Sequence, residues 1–179
     1  MKKLLLLMFA VMMGQSVLAA DKKPLTKEQS AKVIEAAIRK AAKKPTGELT
    51  KADLEKVTSL GLIDKQLNDM PKGLEKLTQL TTLHLDHNQL TNVKGLENLT
   101  QMESLHLGMN QLTDVKNLGK LPRLRILSLY NNQLTDLEGL EKLEKLERLN
   151  LENNQLTKTQ VDQLQKALPN CKIKHNADK

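Results

Sequence analysis

The sequence predicts an α/β solenoid, an array of similar coils that stack on one continuous leucine core. Three observations predict this fold. An eight-residue phrase that begins and ends with leucine recurs every 22 residues, leucine supplies about a fifth of the 179 residues, and helix-like segments flank the repeats on both sides. Chains of this kind fold by stacking each unit on its neighbours, and their terminal units need covers because they otherwise expose the core to water.

The first 19 residues have the pattern of a secretory signal peptide. Two lysines follow Met1, an unbroken apolar run extends from Leu4 to Met13, and small residues precede Ala19, after which we expect cleavage. A membrane anchor is the alternative, but a spanning helix needs about 20 apolar residues and residues 14–16 interrupt this run. We therefore expect an exported protein, secreted or periplasmic, that has no transmembrane segment once the signal is removed.

Residues 20–58 are predicted to form a helical N-terminal cap. The segment 26–44 carries apolar residues on one helical face, and Pro45 and Gly47 disfavour its continuation as a helix. Thr50 followed by Asp53 resembles a capping box and predicts the start of a second, short helix. Both helices are expected to lie over the first coil.

The repeats occupy residues 59–156 and make about five coils. The four clearest phrases read LHLDHNQL, LHLGMNQL, LSLYNNQL and LNLENNQL. Their L-x-L alternation predicts short strands whose leucines all point inward. The segments between the phrases have an apolar residue at about every third position, which favours 3₁₀ helix or extended coil over a long α-helix. The phrases begin at Leu83, Leu105, Leu127 and Leu149.

Each phrase also contains an asparagine at the same offset. Its side chain can bond backbone groups in a turn that has no strand partner, so stacked copies are expected to form a buried structural ladder. The four residues of this ladder are Asn88, Asn110, Asn132 and Asn154.

Residues 157–179 are predicted to form a C-terminal cap and tail. Val161, Leu164 and Leu168 make an apolar stripe at helical spacing, and Ile173 can add a last strand. The single cysteine, Cys171, is expected to be buried in this cap. An intermolecular disulfide is the alternative for it.

The phrase L-x-x-L-x-L-x-x-N-x-L at a 22-residue period resembles the leucine-rich repeat. The segments NQLTNVKGLENLTQ and NQLTDLEGLEKLEK are similar to the short bacterial repeats of the internalin type, and the ending LPNCKI is similar to the closing cap of secreted bacterial proteins of this family. The resemblance implies short parallel strands on a concave face and 3₁₀ or coil segments on the convex side. It further implies a non-catalytic module that recognises a protein or peptide through the concave sheet.

The concave sheet is where we predict binding residues. Side chains that alternate with the strand leucines should project from it, about 4.8 Å apart in neighbouring coils. Tyr130 is the preferred anchor, because tyrosine binds well at interfaces and the only other aromatic residue, Phe9, belongs to the predicted signal peptide. The other residues predicted to surround it are Ile126, Arg148, Asn150 and Glu152.

Two histidines are expected to be neighbours on the same face. His84 and His106 occupy equivalent positions in adjacent phrases, and Asp86 lies two residues along the first strand. We favour contact with a partner as the role of all three. The alternatives are a small molecule, a glycan, or zinc or another transition metal, although the sequence shows no residue that would orient the metal ligands.

The remaining features argue against other functions. The sequence contains no nucleophile with a base and an orienting acid, no phosphate-binding glycine loop and no Cys/His metal spacing, so we expect neither an enzyme nor a cofactor. The net charge of +7 comes from scattered lysines without an arginine-rich stripe, which disfavours nucleic acid as a partner. We expect a monomer with a protein or peptide partner. A structural envelope protein without a discrete ligand is the remaining alternative.

Overall fold

The computed structural model describes residues 25–70 and 72–177. The predicted signal peptide, residues 1–19, lies outside the described residues. None of the helices in the described ranges has the length and apolarity that a membrane-spanning segment needs. These helices are α1 (Lys27–Ala41), α2 (Lys51–Glu55) and α3 (Lys158–Ala167).

A single parallel sheet runs through the array, and its strands follow one another in chain order. Each strand has three residues, and its central residue is a leucine or, in the last strand, an isoleucine. The strands are β1 (Ser59–Gly61), β2 (Thr82–His84), β3 (Ser104–His106), β4 (Ile126–Ser128), β5 (Arg148–Asn150) and β6 (Lys172–Lys174).

Short 3₁₀ helices form the opposite, convex side of the coils. Each begins in the segment with threefold apolar spacing, as the sequence predicts, because such spacing keeps one side chain per turn directed inward. The open parallel sheet and the 3₁₀ turns together confirm the predicted fold class. The 3₁₀ helices are Leu74–Lys76, Leu96–Asn98, Lys116–Lys120 and Leu140–Lys142.

The leucines of successive coils make one continuous core. Leu105 and Leu107 of the central coil are 0% exposed, and the equivalent leucines of the other coils are buried in the same way. Ile34 and Ile38 of α1 extend this core on the N-terminal side, and Leu164 of α3 extends it on the C-terminal side. Both caps thus bury apolar side chains that extend the core of the stacked coils.

The four asparagines of the phrases join neighbouring coils. In the central example, Asn110 Oδ1 accepts a hydrogen bond of 3.0 Å from the backbone N–H of Leu90 in the preceding coil. Its Nδ2 donates to the carbonyl of Leu85 in that coil at 3.0 Å and to the carbonyls of Leu107 and Gly108 in its own coil at 3.1 and 3.2 Å. Asn88, Asn132 and Asn154 bond the backbone of two coils in the same way.

The residue before each ladder asparagine adopts a left-handed backbone conformation. The φ angles of His87, Met109, Asn131 and Asn153 lie between 51° and 57°. Asparagine tolerates this region better than most residues, and it occupies the last two of these positions. The side chains of these two asparagines form a hydrogen bond, in which Asn153 Nδ2 donates to Asn131 Oδ1 at 2.6 Å.

The N-terminal cap depends on a carboxylate that accepts several hydrogen bonds. Asp53 Oδ2 accepts from Lys44 Nζ at 2.6 Å and from the backbone N–H and hydroxyl of Thr50 at 3.0 and 2.7 Å. Thr50 Oγ1 in turn accepts from the Asp53 N–H, which completes the capping box at the start of α2. The hydrogen bonds from Lys44 and Thr50 hold the pKa of Asp53 far below its ordinary value.

Asp53→Asn is expected to lower the melting temperature at neutral pH and to flatten its acid dependence. The pKa of Asp53 is lower in the folded than in the unfolded protein, so acid favours the unfolded state, which takes up the proton first. The contribution of Asp53 to stability is therefore complete above the ordinary aspartate pKa of about 3.9 and is lost as the pH falls further. Thermal melts between pH 2 and pH 7 test this.

The exposed carboxylate of Asp69 provides the control, because Asp69→Asn should leave the neutral melting temperature unchanged. Equal melting temperatures for Asp53→Asn and the unmodified protein at pH 7 would contradict the stabilising role of the Asp53 carboxylate.

The C-terminal cap closes the other end. A second capping box, between Thr157 and Gln160, begins α3, whose Val161 and Leu164 are buried. Cys171 is 4% exposed, and burial raises the pKa of its thiol to about 11. A buried, protonated thiol is a poor nucleophile, so this position is consistent with the predicted core role.

Candidate functional site

The concave face consists of the side chains that flank the buried leucine of each strand. In β2, β3 and β4 the central leucine is buried while the first and third residues are half-buried. The parallel hydrogen bonding continues for two residues beyond the strands, since the N–H of His87 donates to Gly108 O and the N–H of Met109 donates to Tyr130 O. Asp86, Gly108 and Tyr130 therefore lie side by side on successive coils.

His84 and His106 face each other across β2 and β3. Their Cα atoms are register partners, and their rings stack with centroids 4.5 Å apart and planes 23° apart. Ser104 Oγ lies 3.0 Å from His106 Nε2, within hydrogen-bond distance. The sequence predicted the histidine pair but not this hydroxyl partner, although Ser104 stands two residues before His106 and so points to the same face.

Asp86 lies beside the two histidines and is only 9% exposed. Its Oδ1 accepts a hydrogen bond of 3.0 Å from the backbone N–H of Gly108 on the next coil. One potential ligand atom from each of His84, Asp86 and His106 lies within 4.8 Å of the other two. The structure thus brings together the three residues that the sequence grouped, with the carboxylate fixed to the backbone.

The environment also affects the protonation of one ring. Burial lowers the pKa of His106, the neighbouring His84 lowers it further, and the carboxylate of Asp86 opposes part of this change. At neutral pH His106 is therefore mainly uncharged, and one of its ring nitrogens carries a lone pair that can accept a hydrogen bond.

Tyr130 lies across the adjacent glycine. A Cβ atom at Gly108 would overlap with Cε1, Cδ1 and Cζ of the Tyr130 ring, so the absence of a side chain at residue 108 creates the space that the ring occupies. The ring is half-buried there, and burial together with the charge of Asp86 raises the pKa of the phenol. The tyrosine hydroxyl consequently remains protonated across the physiological pH range.

The other predicted binding residues extend from Tyr130 toward the C-terminal edge of the sheet. Ile126 is half-buried and Arg148 is exposed. Asn150 Oδ1 accepts a hydrogen bond of 3.0 Å from the Glu152 N–H, and the Glu152 carboxylate forms an ion pair of 2.8 Å with Lys174. This side of the face therefore places Arg148 beside Ile126, and the ion-paired carboxylate of Glu152 level with Tyr130 on the next coil.

A second cross-coil contact, which the sequence analysis did not identify, lies just before the strands. Arg125 Nε and Nη2 donate to Glu147 Oε1 at 2.9 and 2.6 Å across 22 residues. Both side chains are about half exposed, so solvent screens this pair and its contribution to stability is small. The sequence feature that indicates this ion pair is the position of Arg125 and Glu147, two opposite charges one 22-residue period apart.

Gly108→Ala is expected to displace the Tyr130 ring while leaving the fold intact. The three atoms nearest to the added methyl group all belong to the Tyr130 ring, so rotation of that side chain relieves the overlap. Near-ultraviolet circular dichroism reports on this ring directly, because Tyr130 is the only tyrosine and the chain has no tryptophan. We expect a reduced signal near 280 nm with a far-ultraviolet spectrum like that of the unmodified protein. An unchanged near-ultraviolet spectrum would show that the ring does not pack on Gly108.

The comparisons with known proteins agree with this architecture. The family of leucine-rich repeats in two copies matches residues 78–120 and 122–166. The crystal structure of the internalin InlF from Listeria monocytogenes superposes with a TM-score of 0.73 at 26% identity, covering 88% of this chain and 48% of InlF. A leucine-rich repeat protein of Leptospira interrogans superposes with a TM-score of 0.53 at 29% identity, covering 72% of this chain and 39% of that protein.

Internalin C2 of Listeria monocytogenes has the same fold, with a TM-score of 0.50 and 23% identity over 82% of this chain and 85% of its own length. No curated protein matches the sequence significantly. The chain spans about half the length of InlF and about two fifths of the Leptospira protein. The matched repeats and the solved structures show an internalin-like chain of leucine-rich repeats, similar in fold to these bacterial proteins.

Proposed function

We propose that this protein is a non-catalytic module that recognises a protein or peptide through its concave sheet. Leucine-rich repeat proteins generally use their extended concave surface for binding. The observation that carries the proposal is the position of Tyr130, whose ring is supported by Gly108 while the exposed Arg148 lies on the next strand. A supported aromatic ring and an exposed arginine on the same face are typical of the residues that dominate binding energy at interfaces.

The size of the sheet favours a small partner. Six strands spaced about 4.8 Å apart span about 24 Å. A standard protein interface buries about 800 Å² on each partner, which exceeds what this narrow strip offers. We therefore favour a peptide or a small domain that also contacts the turns at the strand ends.

The charges on the last two strands indicate the chemistry of that partner. Arg148 is the register partner of Lys172, and Lys174 lies two residues further along β6. Glu152 compensates one of these cations through its ion pair with Lys174. A partner segment with a carboxylate next to an apolar side chain fits this arrangement. Arg148 is the register partner of Ile126, so a carboxylate bound to Arg148 places the neighbouring apolar group on Ile126.

Partner capture followed by affinity measurement tests the proposal. The protein is immobilised and exposed to extracts of the envelope and culture medium of its source organism, and each retained protein is then purified and titrated. We expect Tyr130→Ala and Arg148→Glu each to raise the dissociation constant about 30-fold. This increase corresponds to the roughly 2 kcal/mol of binding free energy typical of an interface hot spot.

Lys142→Glu is the matched control for the charge reversal, since Lys142 is exposed on the convex 3₁₀ helix. It should leave the affinity unchanged. Equal losses from Arg148→Glu and Lys142→Glu would indicate non-specific attraction of charge, and retention of the partner by both Tyr130→Ala and Arg148→Glu would overturn the concave-face proposal.

We also propose that the protein is exported. The positively charged start, the ten-residue apolar run and the small residues before Ala19 support this proposal. Fractionation of the source organism and N-terminal sequencing test it. A mature protein beginning at Ala20 outside the cytoplasm is the expected result, whereas a cytoplasmic protein that retains residues 1–19 would contradict export.

A further inference from the structure

We propose that His84, Asp86 and His106 form a binding site for one divalent transition-metal ion on the concave face. This inference does not depend on the proposed protein or peptide partner. It rests on three side chains from two adjacent coils whose ligand atoms converge, and on two neighbouring groups that hold them.

The backbone places the three ligands in a rigid frame. His84 and His106 are register partners in β2 and β3, so the distance between their Cα atoms is set by the sheet. Asp86 lies two residues after His84 and therefore on the same face. Strands position metal ligands more precisely than loops do, because the surrounding sheet restricts their movement.

The ligand atoms are close to, but not yet at, coordination distance. They lie within 4.8 Å of one another. In a tetrahedral zinc site with bonds of about 2.0 to 2.1 Å, ligand atoms are about 3.3 Å apart. The difference of about 1.5 Å is within the reach of side-chain rotation, and it requires the two stacked rings to tilt so that one nitrogen of each points to a shared centre.

Two neighbouring groups stabilise the ligand set. The Gly108 N–H bonds Oδ1 of Asp86 and leaves Oδ2 available to the metal. The Ser104 hydroxyl lies against Nε2 of His106, and its oxygen can accept a hydrogen bond from the Nε2–H when Nδ1 binds the metal. Such hydrogen bonds orient the ligands and commonly change metal affinity by 10- to 100-fold.

The donor set selects the class of metal. Two imidazole nitrogens and one carboxylate oxygen suit zinc, nickel and copper, whereas calcium and magnesium prefer sites made entirely of oxygen atoms. Three protein ligands leave a fourth tetrahedral position for water or an external ligand. Because the site is on the concave face, that fourth position can be reached from outside the protein.

Zinc titration by isothermal calorimetry tests the proposal. The full chain is purified through an affinity tag that contains no histidine, and Zn²⁺ alone is added at pH 7. We expect one zinc ion per chain, a higher melting temperature with zinc, and reversal of both effects by a chelator. His84→Gln and His106→Gln should each weaken zinc affinity at least tenfold, and so should Asp86→Asn, whose amide oxygen can still accept the Gly108 hydrogen bond.

The chain provides two matched histidine controls. His87 occupies the exposed turn of the same coil and His175 follows β6, and neither belongs to the cluster. His87→Asn suits the left-handed backbone at that position, and His175→Gln removes the other imidazole. Both variants should keep one zinc ion at unchanged affinity.

Cobalt provides a second readout that reports on geometry. Co²⁺ in place of zinc should give the visible absorption of a four- or five-coordinate ion in the unmodified protein, with the band lost in His106→Gln. Absence of stoichiometric zinc binding would overturn the proposal. Zinc binding that survives His84→Gln and His106→Gln, or that disappears in His87→Asn, would overturn it equally.

Discussion

Leu107→Asp is expected to unfold the entire array. Leu107 is 0% exposed in the central coil, where it contributes to the core that all the coils share. Replacement removes an apolar side chain, at a cost of about 2 to 5 kcal/mol, and buries a carboxylate within the apolar core. The sum exceeds about 5 kcal/mol, which is comparable with the whole stability of an ordinary domain.

Because Leu107 lies in the central coil, the loss of stability affects the whole array and not one end. In a stacked array each coil is stabilised by its neighbours, so disruption of a central coil separates two halves that are each too short to be stable. Circular dichroism during urea unfolding measures the effect, and Gln111→Asp is the control because residue 111 is exposed in the same coil. A native-like unfolding curve for Leu107→Asp would show that the side chain does not face the core.

Asn110→Ala is expected to cost about 2 to 4 kcal/mol of unfolding free energy. The substitution leaves the buried N–H of Leu90 and the carbonyls that Nδ2 contacts without that side-chain partner. A buried polar group that loses its hydrogen bond costs about 1 to 3 kcal/mol. The loss affects two coils at once, since the asparagine bonds the backbone of both.

Asn154 is the least buried of the four ladder asparagines. Asn154 makes equivalent hydrogen bonds, but it is only partly buried, and water can replace part of what Asn154→Ala removes. We expect Asn154→Ala to cost about half as much as Asn110→Ala. Chemical denaturation of both variants measures the two values. Equal and small losses would mean that the ladder contributes little to stability.

Most of the fold could be predicted from the sequence because the 22-residue period of the leucine phrases determines how the coils stack. The leucine spacing located the strands, and the recurring asparagine located a turn that each coil repeats. Identical coils can only stack in register, so the neighbours of a residue on the sheet could be read 22 positions away. His84 and His106 were paired in this way.

Contacts that depend on side-chain orientation were less accessible to sequence analysis. The repeat pattern predicted that Asp86, Gly108 and Tyr130 occupy equivalent positions in successive coils. It did not predict that the Tyr130 ring packs on Gly108, or that the Asp86 carboxylate accepts a hydrogen bond from the Gly108 N–H. Both outcomes depend on the space that glycine leaves and on the competition among rotamers, which a repeat pattern does not encode. The available signal for the tyrosine packing was that a glycine, Gly108, occupies the position equivalent to Tyr130 in the preceding repeat.

The last strand has a consequence for how copies of the protein meet. An open parallel sheet ends in unpaired backbone groups, which can template strand addition by another molecule. In β6 the lysines Lys172 and Lys174 flank Ile173, and both are exposed. Exposed lysines at a sheet edge disfavour the addition of a further strand, so β6, the last strand of the described residues, also opposes extension of the sheet by another molecule.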